Sequence, residues 1–262
     1  MKLIVAILTG LLLTPSAFNG LARAGVVIDE KVTTLQSAGP SLTQTRELLV
    51  QGHKEKMIGE RNVFVIDLDK GTMTLIDPEK KMYAEMPFPP SMRAPMPGNE
   101  LNLNFKKTGK QTNVAGYACT EYAGAGRTLV AEVTTNGCFS TSAPGAAEFS
   151  EFTKAMAARL KNANAMAGTM PQGIPLTMDS TRKMNSSFAI PGVSPEQAAR
   201  IKDLMSKQAP QTTKTTVTKI ATRELPADTF QAPAGYERRT MAPAASAPPQ
   251  AAPPSGGIKV PE

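Results

Sequence analysis

Between Val26 and Met86 one pattern recurs: a short run rich in valine, isoleucine, threonine and aromatic side chains, closed by glycine, proline or aspartate. VVIDEKVTTLQ ends at Gly39-Pro40, LTQTRELLVQ at Gly52, NVFVIDLD at Asp69-Lys70-Gly71, TMTLID at Asp77-Pro78 and KMYAEM at Pro87. β-Branched and aromatic residues suit a pleated surface, whereas the closing residues are those that reverse a chain. The pattern therefore predicts an antiparallel meander. In NVFVIDLD, period-two alternation puts Phe64, Ile66 and Leu68 on one face and Val63 and Val65 on the other. Both faces are apolar, as expected of a strand deep in a sheet.

The next segment, MPFPPSMRAPMPGNE, is interrupted by prolines that exclude a central strand and most helix. It reads as a loop whose methionines, Met86, Met92 and Met96, form an apolar flap on the body; thioether ligation of a soft metal is the competing use of those residues. Strands resume at LNLNFKKTG, TNVAGYACTEY and RTLVAEVTT, with Gly124–Gly126 read as the connection between the last two. The period then changes: Phe149, Phe152, Met156 and Leu160 share one face of a helix in EFSEFTKAMAARLKNANAM. Such a helix in a β protein is expected to lay that face on the sheet. A second helix is announced near 194–208 by SPEQAARIKDLMSKQ, where Ser194 caps, Pro195 takes the first position and Gln197 completes a capping box. PLTMDSTRKM before it and TKTTVTKIATREL after it read as strands.

Residues 1–24 carry Lys2, an apolar run from Leu3 to Leu13 and Ala22-Arg23-Ala24, the small-x-small pattern cut by signal peptidase. A cleaved signal, export to the periplasm or beyond, and a mature chain from Gly25 are expected. No run approaches the ~20 apolar residues of a membrane span, so no transmembrane anchor is expected. Residues 240–262 are Pro/Ala-rich with few large apolar side chains, the composition of a disordered tail. Residues 25–239 are left as one domain. Loss of Lys2 and Arg23 lowers the formal charge of +7 by two, to +5, and the cations are scattered, so no nucleic-acid partner is expected.

In an oxidising compartment two cysteines, Cys119 and Cys138, make one bridge. Closing a loop of eighteen residues contributes ~3 kcal/mol in the chain-entropy picture. The chain has one histidine, His53, and no Cys-x-x-Cys, nucleophile elbow, phosphate loop or dinucleotide fingerprint. Asp67, Asp69 and Gly71 match a hairpin turn better than a calcium loop, which would need an acidic residue to close it. Neither a cofactor, a metal nor an enzymatic activity is expected.

DPEKKMY (Asp77–Tyr83), TGKQTNVAGYACTEY (Thr108–Tyr122), GIPL (Gly173–Leu176) and ELPADTFQAPAGY (Glu224–Tyr236) together resemble, in order and spacing, an exported bacterial family of unknown function that is similar to the LolA-like periplasmic lipoprotein carriers. The resemblance implies an α+β, mostly β fold, in which a strongly curved antiparallel sheet forms an open half-barrel around one or two helices. It also implies an apolar concavity that receives acyl chains in carrier relatives. The segment from about Met184 to Pro210 and the tail depart from the family pattern. On this basis a hydrophobic ligand, a lipid or acyl chain, is expected to meet Phe64, Ile66 and Leu68 of the sheet and Phe149, Phe152 and Met156 of the helix. The alternative is a structural envelope protein in which those residues form a dry core, because an apolar helix stripe is ordinarily core.

Overall fold

The computed structural model describes residues 24–35, 40–89, 101–128, 131–162, 166–167, 170–185, 194–206 and 209–240. Residues 1–23 of the expected signal, the expected tail beyond residue 240, and Met92 and Met96 of the expected flap lie outside the described residues.

The meander is present, with one strand more than the residue pattern displays. It comprises β1 (Gly25–Leu35), β2 (Leu42–Gln51), β3 (Lys54–Ile58), β4 (Val63–Asp67), β5 (Thr72–Asp77) and β6 (Met82–Pro87), each antiparallel to the next. The turn residues act as read: Gly52 and Gly71 take left-handed φ, and Asp67 Oδ1 accepts the Lys70 N–H at 3.0 Å in the hairpin turn. The β2–β3 turn, the β4–β5 turn and the end of β6 lie at one end of these strands, the base; the β3–β4 and β5–β6 turns lie at the other, the rim.

A second antiparallel set consists of β7 (Leu101–Val114), β8 (Tyr117–Arg127) and β9 (Ala131–Ser140). Here the hairpin reverses at Ala115-Gly116, inside the run expected as a single strand, and Gly124–Gly126, expected as a connection, is strand. The reason is local. Ala115 and Gly116 both have positive φ, 51° and 85°, the pair that matches the right-handed twist of a two-residue hairpin. Gly124 serves packing instead, since a Cβ there would lie 2.9 Å from Thr135 and 3.0 Å from the Phe105 ring.

β11 (Ile174–Met184) and β12 (Gln211–Arg223) join the two sets into one sheet, in which β12 pairs with β1 and β11 with β9. Two-residue strands, β10 (Met166–Ala167) beside β7 and β13 (Glu237–Arg238) beside β6, finish the edges in parallel register. The order is β10-β7-β8-β9-β11-β12-β1-β2-β3-β4-β5-β6-β13, and the outermost strands do not pair with each other, so the curved sheet is open.

Helix α1 (Ala146–Asn162) lies across the base on the inner face. Glu148 in its first turn favours the positive helix end and accepts the Gly52 N–H. Ser150 receives the Gly173 N–H at 2.9 Å, and near the other end an Arg159 Nη1 donates to the Phe88 carbonyl at 3.4 Å. The expected face is the packed one: Phe149 and Phe152 are buried with Val26, Ile28, Leu48, Val50, Leu68 and the cystine in the main core. Helix α2 (Pro195–Ser206) has the expected capping box, with the Gln197 N–H on Ser194 Oγ at 3.3 Å and the Ser194 N–H on Gln197 Oε1 at 3.2 Å. It is inserted between the rim ends of β11 and β12 and leaves Leu204 65% exposed, so among the described residues the helix packed into the main core is α1.

The outer face of β2–β6 is covered by residues 225–236. Leu225 buries Val27 and Leu49, while Phe230, Ala232 and Tyr236 lie on Val63, Val65 and Ile76. The Glu237 and Arg239 N–H groups then bond Lys81 and Tyr83 carbonyls. A segment without helix or strand period thus straps the back of the sheet.

Candidate functional site

Register carries the inner face across the sheet in rows. Val26, Val50, Glu55, Ile66, Met73 and Met86 form the row nearest the base; Ile28, Leu48, Met57, Phe64, Leu75 and Ala84 form the next. Glu30 and Arg46 open the third row toward the rim, joined by an ion pair from Arg46 Nε to Glu30 Oε2. The helix seals one side of these rows. Val26, Ile28, Leu48 and Val50 are buried, whereas Met57, Phe64, Ile66, Met73, Leu75 and Met86 are only half-buried. A wall that is apolar apart from Glu55 therefore faces the concavity over β3–β6.

Of the residues expected to meet a ligand, Phe64 and Ile66 belong to this half-open wall and Met156 is partly buried beside it. Leu68, Phe149 and Phe152 are interior. Met86 is a residue of β6 on the wall, so it is placed in strand and not in the proline loop. Cys119 and Cys138 form the expected disulfide between adjacent strands β8 and β9, with Cα atoms 5.4 Å apart and both residues buried. His53 is exposed in the β2–β3 turn, where Nδ1 lies 2.7 Å from Asp69 Oδ1. Among the described residues, no group of three or more His, Cys, Asp and Glu side chains is gathered for a metal.

Toward the rim the wall opens into a cavity of about 370 Å³ lined by Leu42, Arg46, Met57, Arg61, Asn62 and Phe64. That is within the ~300–1,000 Å³ of small-molecule sites. Its floor is apolar, its lip carries charges of both signs in Arg46, Arg61 and Glu60, and Leu42 at the lip is 57% exposed. A larger hollow of about 590 Å³ lies on the solvent side of α1, between Ser150, Lys154, Ala157 and the Met170–Gln172 segment. Glu151 and Lys154 are among its lining and none of the residues of the apolar rows is, so the smaller cavity is the candidate site.

Glu55 is the residue that the sequence pattern does not single out. Its strand, KEKMI, alternates Lys54, Lys56 and Ile58 outward with Glu55 and Met57 inward, a period of two disguised by an acid on the apolar side. Desolvation in this setting is the dominant influence and pushes the carboxyl up to about 7 from an ordinary 4.5; Arg46 pulls it down and Glu30 adds to the rise, both less strongly. A carboxyl with a raised folded value favours folding while protonated. Its contribution is complete below about pH 4.5 and is lost as the pH climbs through about 7. Glu55→Gln is therefore expected to leave stability at pH 4 nearly unchanged and to raise it at pH 8 by on the order of 2 kcal/mol, after allowing for water at a half-buried group. Urea unfolding of both proteins at the two pH values checks this; an equal effect at both would refute the assignment.

Comparison with solved structures gives similarity to PNGF-II, at 10% identity and a TM-score of 0.37, covering 83% of this chain and 31% of that one. This chain thus spans under a third of PNGF-II. It is also similar to a LolA superfamily protein from Nitrosomonas europaea (6% identity, TM-score 0.31, covering 80% of this chain and 90% of that one). The third similarity is to a putative outer membrane lipoprotein-sorting protein domain from Vibrio parahaemolyticus (8%, 0.32, 79% and 89%). No curated protein gives a match. A family model matches residues 42–174, more than half of the 262-residue chain and the whole run from β2 to the start of β11. The chain belongs to the DUF4412 family, a domain of unknown function.

Proposed function

We propose that the half-barrel is a non-catalytic binder or carrier of a hydrophobic ligand, a lipid or acyl chain, in the cell envelope. One observation carries this reading. β4 has two apolar faces, and the outer one, Val63 and Val65, is buried beneath the 225–236 strap, while the inner one, Phe64 and Ile66, is left half-open beside a cavity. A wall of this kind gains by being covered. Each acyl CH₂ moved from water contributes ~0.8 kcal/mol, so a stretch of ten offers ~8 kcal/mol before ordering losses. The signal-like pattern of residues 1–24 and the buried disulfide support an envelope location.

Gentle purification followed by native and denaturing mass spectrometry tests the proposal. A co-purifying mass that denaturation releases, or uptake of added fatty acid or lipopeptide, is the expected result. Repeatedly empty protein with no uptake would overturn it, and the molecule would then be a structural envelope protein with a dry core.

A further inference from the structure

The inner wall contains one residue that an apolar surface does not call for. Glu55 stands opposite Val50 on β2 and Ile66 on β4, with Met57 next on its own strand and face. Valine or leucine would suit the strand and the wall better, and a carboxyl without a partner is unfavourable there. Its surroundings give it the attraction of Arg46 but no hydrogen bond. From β1 and β2 the charged groups nearby are Glu30 and Arg46, and the Arg46 guanidinium is engaged by Glu30. β4 offers Phe64 and Ile66, α1 packs Phe149 and Phe152 into the same core, and Glu148 is turned to the Gly52 N–H. Among the described residues the Glu55 carboxyl makes no hydrogen bond or ion pair, and it is half-buried, standing between sealed Val50 and half-buried Ile66.

We propose that Glu55 is the hydrogen-bonding contact of the half-barrel for a carbonyl-bearing acyl ligand, an ester or amide, and that such a ligand is taken up together with one proton on that carboxyl. The inference rests on the binding reading above and adds the ligand's chemical class and its linkage to pH. A chain laid along Met57, Phe64 and Ile66 removes the remaining water from Glu55. The ionised form then loses its solvation, whereas the neutral form keeps a partner by donating its O–H to the ligand carbonyl. A ligand lacking an acceptor leaves that O–H unmade, a difference of about tenfold in affinity. The proton comes from solvent. Because the free carboxyl sits near neutrality, uptake requires little free energy below about pH 7 and progressively more above it.

The test titrates the purified protein, Glu55→Gln and Glu55→Leu with two neutral probes from pH 5.5 to 8.5. One is a fluorophore carrying a dodecanoyl amide; the other is N-phenyl-1-naphthylamine, which has no carbonyl. For the wild-type protein the Kd of the amide is expected to be flat below about pH 7 and to rise toward tenfold per pH unit above it. Glu55→Gln is expected to abolish the pH dependence, and Glu55→Leu to shift the preference toward the carbonyl-free probe by about tenfold. Binding of both probes with the same pH profile in wild type and Glu55→Gln, or an unchanged preference in Glu55→Leu, overturns this proposal alone. Failure of every variant to take either probe overturns the binding reading and this proposal with it.

Discussion

Phe152→Ala is expected to lower the unfolding free energy by about 4 kcal/mol, the middle of the range for truncating a core aromatic. Phe152 is 0% exposed, the largest of the fully buried side chains, and sits midway along α1 where the helix meets the inner face. The loss combines removal of the ring's contacts with a void that the neighbours cannot close. Strands β1 and β2 are held from behind by the Leu225 cluster, and the start of α1 is pinned by Gly145, whose missing side chain lets it approach Val26. For a domain of this length such a loss moves Tm by on the order of 10 °C. Met156→Ala, one turn farther along on the same helix face but only partly buried, is expected to cost less than half as much. Denaturant unfolding of the two variants separates the roles: equal losses would mean that Met156 is core in the same sense as Phe152, and a loss under 1.5 kcal/mol for Phe152→Ala would mean that α1 is not held by this face.

That contrast marks how far the helix face was legible in advance. Spacing identified Phe149, Phe152 and Met156 as one stripe, but period alone does not tell which members of a stripe are sealed, since that depends on where the helix ends and on which strands lie beneath it. The strands of the meander were legible because valine, isoleucine and threonine alternate between glycine and proline stops. β3 was not, because Glu55 occupies an apolar position and Lys54 and Lys56 flank it, so a five-residue strand reads as a charged turn. The β7–β8 reversal was hidden for a related reason: Ala115 is no turn former by type, and only its positive φ beside Gly116 reveals the hairpin. The strap at 225–236 has no period to read. Its meaning lies in Leu225, Phe230 and Tyr236 finding apolar positions on strands more than 140 residues earlier, which no local window contains. The site followed the same division. Phe64 and Ile66 could be named from alternation, while the residue that departs from the alternation, Glu55, gives the wall its polar chemistry.

Reduction of the Cys119–Cys138 bond, or its removal as Cys119→Ala/Cys138→Ala, is expected to destabilise the protein by about 3 kcal/mol without changing the fold. The two positions are 19 apart in sequence, and in the unfolded chain the bond deletes the freedom of the loop between them. In the folded protein the loop is already organised: β8 and β9 pair along their length from Thr120–Phe139 to Arg127–Glu132, so the bond adds little that the ladder does not define. The effect should therefore fall on the unfolded state, and the far-ultraviolet circular dichroism of the reduced protein should match that of the oxidised one at low denaturant. Both sulfurs also belong to the main core through Cys119 and Cys138, buried to 4% and 3% exposure. Protection from reductant follows, and thiol release on adding dithiothreitol should track global unfolding when denaturant is varied. Rapid reduction in native buffer, with no shift in the urea midpoint, would contradict both the burial and the entropic role. A fall in α1 signal accompanying reduction would show instead that the bond holds the helix, because α1 follows β9 directly through Ser140, whose hydroxyl accepts the Ala143 N–H at 3.2 Å at the approach to the helix.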